Sequence, residues 1–187
     1  WDVVWWPATN EVVIAMAGIH QLWAFDPRSG MIRVLAGTTN EGLVDGVAES
    51  AWFAQTSGLA VDGERIWMAD SETSALRSIS VAGMVQSHVG AGLFDFGHVD
   101  GPAAEARMQH PLGVCVLADG SVAIADTYNG AVRRFDPTTN TVSTIATAMA
   151  EPSGLLLVDG QLLVIESAAH RITAIAAPDA LTHVSGQ

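Results

Sequence analysis

The sequence predicts an all-β fold, a β-propeller built of four-stranded antiparallel blades. Three observations carry that prediction. One pattern recurs four times along the 187 residues, and a repeat of this size marks one supersecondary unit copied several times. The inner strands of the copies are apolar on nearly every residue, as in Leu162-Leu163-Val164-Ile165, where a sheet with one wet face would alternate. Turn-forming clusters punctuate each copy at the same places. A small sheet covered on both faces and flanked by copies of itself is a propeller blade. A linear stack would need capping units at its ends, and neither end carries one.

The third copy shows the unit in full. Leu112 to Leu117 is a short apolar strand, and Asp119-Gly120 then supplies a tight turn, because Gly tolerates positive φ and Asp bonds its own backbone. Ser121 to Ala125 is a second strand, Asp126 to Gly130 a turn cluster, and Ala131 to Phe135 a third strand. Asp136-Pro137 opens the next turn, with Pro pre-setting φ, and Thr141 to Ala146 is a β-branched fourth strand. The first copy has its initial strands at Asp2–Trp6 and Val12–Met16, then Gln21 to Phe25 and Met31 to Ala36. The second runs from Gly58 through Asp62-Gly63 to Asp70, then Ala75 to Ser80 and Met84 to Val89. The fourth runs from Gly154 through Asp159-Gly160 to Glu166, then Arg171 to Ala176 and Leu181 to Val184. The blades accordingly occupy about 1–37, 53–90, 108–147 and 150–187.

Two insertions, 38–52 and 91–107, separate the first three blades. Asp126 to Glu166 is 40 residues, a normal blade period, whereas Asp70 to Asp126 is 56. Both insertions contain Val-Asp-Gly-x-Ala followed by a helix-prone piece, and Pro102 suits the start of a helical turn. As connections from an outer strand to the next inner strand, they are expected to lie together on one rim.

Composition bounds the function. Lys plus Arg total 8 and Asp plus Glu total 20, a net charge of −12. Such a balance opposes nucleic-acid binding, which draws on Lys and Arg. No run of about 18 uncharged apolar residues appears, so no membrane-spanning segment is expected. The start at Trp1 has the look of an excised segment, from which targeting is not to be read; the location is left unknown, with the cytoplasm slightly favoured. The lone Cys115 lies in an apolar run and reads as a small buried hydrophobe.

The second strands end at Met16, Asp70, Asp126 and Glu166. Repeat equivalence puts these residues at matching heights near one end of the central channel. There Asp70, Asp126 and Glu166 are candidate ligands for a divalent cation such as Ca²⁺, which takes hard oxygen donors. The favoured reading is the simpler one, that each carboxylate caps its own turn. Arg77 and Arg133 share a repeat position and are expected to hydrogen-bond between strands or blades. Most of the six tryptophans fall on strands and read as core. Trp52, in an insertion, is a candidate partner contact together with Phe53, Phe94 and Phe96, which would form an apolar rim patch with Leu93. His110, just before Pro111, is a further rim candidate. No phosphate loop, nucleophile elbow or Cys-x-x-Cys appears.

Gln109-His110-Pro111-Leu112-Gly113-Val114 and Ala125-Asp126-Thr127-Tyr128-Asn129-Gly130-Ala131-Val132-Arg133 resemble the NHL repeat, with its Pro-x-Gly-Val start and Asp-x-x-Asn-x-x-Val-Arg core. The insertions resemble those of a subgroup in which an NHL propeller follows a thioredoxin-like domain. The resemblance implies a ring of about six blades, of which four are visible, in a longer chain whose catalytic cysteines lie in another domain. The second blade departs from the motif with Thr73 in place of Asn, and the first with Met16 and Ile19. Lyases of peptide amidation resemble this plan with zinc-binding histidines at channel positions. Here those positions hold Met16, Asp70 and Asp126, and zinc prefers His and Cys. The expected role is a non-catalytic scaffold that binds a protein or small ligand through rim loops. The alternative is a metal-dependent lactonase or lyase that uses the acidic ring.

Overall fold

In a computed structural model that describes residues 1–178, the chain is all-β, with only single 3₁₀ turns for helix. Four antiparallel sheets follow one another as the blades of a propeller. The first blade is β1 (Val3–Trp6), β2 (Glu11–Met16), β3 (Gln21–Phe25) and β4 (Ile32–Ala36). A two-residue strand β5 (Gly46–Val47) precedes the second blade, which is β6 (Thr56–Asp62), β7 (Arg65–Asp70), β8 (Ala75–Ser80) and β9 (Met84–Val89). Strand β10 (Gly101–Pro102) precedes the third blade, β11 (Gly113–Val116), β12 (Val122–Asp126), β13 (Ala131–Asp136) and β14 (Thr141–Ala146). The fourth blade shows β15 (Pro152–Val158), β16 (Gln161–Glu166) and β17 (Arg171–Ala176). The strand expected over Leu181–Val184 lies outside the described residues.

The turns explain the meander. Each hairpin between the first two strands closes on a left-handed residue: Asn10, Gly63, Gly120, and the pair Asp159 and Gly160. The next turn closes the same way at His20, Ser74, Gly130 and His170. A left-handed residue ends a helical turn and reverses the chain at little cost when it is Gly or Asn. In the third turn the carboxylates of Asp26 and Asp136 accept from the N–H groups two residues on, the Asx-turn that those residue types favour.

Apolarity on both strand faces has a direct structural reason. Ile66 and Met68 of β7 pack with Trp6, Val13 and Phe53 between the first and second blades. The intervening Trp67 and Ala69 pack with Val114, Ile124 and Phe135 between the second and third. Leu117, Ala123 and Val132 meet Leu162 and Val164 between the third and fourth. The core is thus three layers, each shared by two successive blades. Among the described residues, the outward faces of the end blades have no such cover. Val3, Trp5, Ile32 and Val34 on the first, and Leu156, Ile165 and Ile172 on the fourth, are exposed.

The innermost strands pack through glycine. A Cβ on Gly58 would lie 2.5 Å from the Leu112 carbonyl oxygen, and one on Gly113 2.5 Å from that of Ser153. That contact needs glycine's bare backbone. Hydroxyls bridge the same junctions, Ser71 Oγ donating to the Pro111 carbonyl and Thr127 Oγ1 to that of Pro152, both at 2.8 Å.

The helix-prone pieces are single turns, and the insertions also pair as strands. Each sends a two-residue strand to the outer edge of the blade that follows it, β5 onto β9 and β10 onto β14. Residues 48–50 form one 3₁₀ turn. Pro102 is the second residue of β10, and its carbonyl accepts from the N–H groups of Glu105 and Ala106. Pro is tolerated there because β10 lies at a sheet edge.

Candidate functional site

The three channel carboxylates are buried, and each is held within its own blade. Asp70 accepts from the Ala54 N–H (2.8 Å), the Thr56 and Thr73 hydroxyls and Arg77 Nη1 (3.1 Å). Asp126 accepts from the Gln109 N–H (2.7 Å), Asn129 Nδ2 (2.8 Å) and Arg133 Nη1 (2.8 Å). Glu166 accepts from the Ala150 N–H (2.8 Å), Arg171 Nε (2.8 Å) and the Thr173 hydroxyl. The structure does not bring the three together. Among the described residues no group of three His, Cys, Asp or Glu side chains is placed to hold a metal ion. Of the residues expected to form a Ca²⁺ ring, Asp70, Asp126 and Glu166 each have lone pairs taken by backbone, hydroxyl or amide, and guanidinium donors of their own blade.

Electrostatics differ along the series. Burial pushes the Asp126 carboxyl up, against its bonds to Asn129, Gln109 and Arg133. Glu166 sits in the blade with an open face, covered mainly by its own partners, and Arg171 and Thr173 lower it to about 2.

The insertions complete the two central struts. Arg77 and Arg133 are buried and reach beyond their blades. Arg77 donates to the carbonyls of Trp52 (2.6 Å) and Val44 (2.9 Å) and to Asp45 (2.9 Å). Arg133 donates to the carbonyls of Arg107 (3.0 Å) and Val99 (2.8 Å) and to Asp100 (2.6 Å). Asp45 and Asp100 are the aspartates of the two Val-Asp-Gly segments. Partial burial would raise both, but the backbone N–H and hydroxyl of Ser87 and of Thr144, with the arginines, hold them below the usual carboxylate range. A β-bulge falls at Leu76/Arg77 and at Val132/Arg133, and such a bulge re-aims a side chain. The arginines thus fasten each insertion to the blade that follows it.

The rim candidates divide. Phe53 does not join a surface patch. It is fully buried between the first and second blades, 4.7 Å beneath the Arg77 guanidinium. The strand-like bridge of Phe53 to Glu41 turns its ring into the core, so its assignment as a partner contact is corrected. Trp52, next in sequence, is 37% exposed and packs over Gly42, apart from the other aromatics. Leu93, Phe94, Phe96 and His110 do come together. With Glu41, Ser71, Glu72, Ser74, Gln109 and Tyr128 they line a cleft of about 250 Å³ between the second and third blades. Phe94 is 89% exposed and Phe96 55%. His110 stacks on Tyr128 at 4.5 Å and 13°, and its Nδ1 lies 3.7 Å from Glu72 Oε1.

Glu72 and Tyr128 are absent from the expected site, yet the repeat holds a signal for them. Each stands two residues after a channel carboxylate, Asp70 or Asp126, so equivalence would have put both beside that junction. The remaining titratable groups have structural surroundings. His88 lies between Trp67 and Phe135, with Nε2 2.8 Å from Ser78 Oγ. Burial, with Arg65 adding, lowers it to about 4. Cys115 is half-buried, which pushes its thiol up.

Known proteins agree with this architecture. The NHL repeat matches residues 108–135. The chain is 33% identical over 192 residues to Protein SUPPRESSOR OF QUENCHING 1, chloroplastic, of Arabidopsis thaliana, a match covering 89% of this chain and 18% of that protein. It is 33% identical over 210 residues to NHL repeat-containing protein 2 of Bos taurus, covering 88% of this chain and 29% of the relative. The chain thus spans less than a third of the curated relatives it matches. A gluconolactonase from Xanthomonas campestris superposes with a TM-score of 0.71 at 21% identity, over 95% of this chain and 58% of that one, a likeness of fold alone. The repeat, the blades and the relatives agree: the chain is a β-propeller that carries an NHL repeat at residues 108–135 and is similar over most of its length to NHL repeat-containing proteins.

Proposed function

We propose that this segment is a non-catalytic propeller scaffold, part of a longer thioredoxin-like/NHL protein, that binds a protein or small ligand through the cleft between its second and third blades. The observation that carries the reading is Phe94. A large apolar side chain stands almost fully in solvent, on a backbone at φ +67°. Bulky residues rarely adopt that conformation, and strain of this kind concentrates at ligand clamps and switches. Phe96 and the His110–Tyr128 stack extend the apolar surface beside it. Support for a longer parent protein comes from the two Val-Asp-Gly insertions and from the length of the relatives.

The lactonase-like alternative would need the channel carboxylates as free ligands, and their bonds to Arg77, Arg133 and Arg171 oppose that use. Two measurements test the reading together. A δ-lactone is incubated with the protein with and without added Ca²⁺, and backbone amide resonances are followed during a screen of peptides and small ligands. The expected outcome is no hydrolysis, with shifts confined to residues 93–97, 109–110 and 128. Ca²⁺-dependent hydrolysis, or shifts centred on Asp70 and Asp126, would reject the scaffold role.

A further inference from the structure

We propose that the cleft receives a positively charged side chain, arginine or lysine, carried on an extended segment of a protein partner. The inference deepens the scaffold reading and rests on it. Its basis is the combination of ring faces with carboxylates. Phe94, Phe96 and Tyr128 present aromatic surface, and the Glu41 and Glu72 carboxylates stand in the same lining. An aromatic face attracts a cation within about 6 Å of its centre, and a nearby carboxylate adds a charge-assisted hydrogen bond. Among the described residues neither glutamate pairs with a lysine or arginine; the one basic neighbour is His110, beside Glu72. No lysine or arginine lines the cleft. A net charge of −12 over the chain favours the approach of a cationic segment.

The shape argues for an extended segment rather than a free small cation. A second hollow, lined by Thr127, Met149 and Glu151, shares Gln109 and Tyr128 with the first. The two hollows adjoin at Gln109 and Tyr128, giving a path with Glu41 and Glu72 in the lining of one and Glu151 in that of the other. A peptide laid along it would place one cationic side chain by Glu72 and reach Glu151 with a later residue. Glu41 and Glu72 are the anionic groups of the lining, and the Ser71 hydroxyl is donated to Pro111 while that of Ser74 accepts the His110 N–H.

The test compares three blocked tripeptides, Gly-Arg-Gly, Gly-Lys-Gly and the uncharged Gly-norleucine-Gly, by amide-shift titration of the whole 187-residue chain. The cationic peptides are expected to move Phe94, Phe96 and Tyr128 and to bind roughly tenfold more tightly than norleucine. Glu72→Gln and Glu41→Gln should each remove most of that preference, and both residues are surface-exposed enough to keep the fold. Equal binding of norleucine would overturn the cation assignment while leaving a ligand-binding rim in place. An unchanged preference in Glu41→Gln/Glu72→Gln would overturn it too. Failure of all three peptides to shift any cleft residue would overturn this inference, while the scaffold reading stands or falls on the wider ligand screen described above.

Discussion

Arg77 and Arg133 are wholly buried, each between a buried aspartate and one at the rim. Two charges removed from water are tolerable only when paired and hydrogen-bonded, and deleting one partner strands the other. Arg133→Met is therefore expected to cost about 3–5 kcal/mol in urea unfolding, much of it regained in Asp126→Asn/Arg133→Met. Arg77→Met should cost no more, because Arg77 Nε already lacks a partner whereas Arg133 Nε bonds Asp100 at 3.1 Å. His88 gives a pH signature. Its folded-state pKa of about 4 lies below the ordinary 6.5, so the unfolded chain binds the extra proton between those values. Stability is then fully present above about pH 6.5 and is lost as pH falls toward 4, by on the order of 3 kcal/mol at most. In unfolding midpoints at pH 7 and pH 4.5, His88→Gln should lose less on acidification than the wild type. At this scale the sequence disclosed the carboxylate and the arginine seven residues later, but not that they meet. Taken separately, the carboxylates suggest turn caps or a metal ring; taken with the arginine seven residues on, Asp70 and Asp126 give the strut.

Strands respond to substitutions at the hub. Gly58→Ala and Gly113→Ala each force a methyl against a neighbouring backbone carbonyl, and overpacking of this kind costs about 1–3 kcal/mol. Gly18→Ala, with open space around it, should leave the melting temperature nearly unchanged. Thermal unfolding of the three variants checks the contrast. The meanders were legible because each turn announces itself through Asp-Gly, Pro or a β-branched run, and because double-sided apolarity has one economical explanation. The insertions were not legible. Ala48-Glu49-Ser50 and Ala103-Ala104-Glu105 have helix-forming composition, but what holds them is distant in sequence. Asp45 bonds the Ser87 N–H and Asp100 the Thr144 N–H, 42 and 44 residues away. Phe53 and Phe94 illustrate the same limit, since a phenylalanine at the end of one insertion and one within the other end up fully buried and almost bare. Phe53 packs in the core between the first two blades beneath Arg77, whereas Phe94 sits on a left-handed backbone in a loop.

Across the whole molecule, three shared cores leave two outward sheet faces, one at each end of the row of blades. Exposed apolar area of this kind marks an interface or an association liability. The isolated chain should therefore self-associate as concentration rises, and Ile172→Lys/Leu156→Lys should shift sedimentation toward the monomer. Asn129 joins the interior to the rim. Its Nδ2 donates to the Gly97 carbonyl at 2.7 Å and to Asp126 at 2.8 Å, so the loop bearing Phe96 is moored to the same anchor as Arg133. Cutting that mooring in Asn129→Ala should lower the amide order parameters of residues 94–97 from the rigid range near 0.85 toward about 0.6, without touching any ring. A tug on the display loop would then slacken before it reached the blade, whereas in the native chain it loads a carboxylate deep inside the wheel.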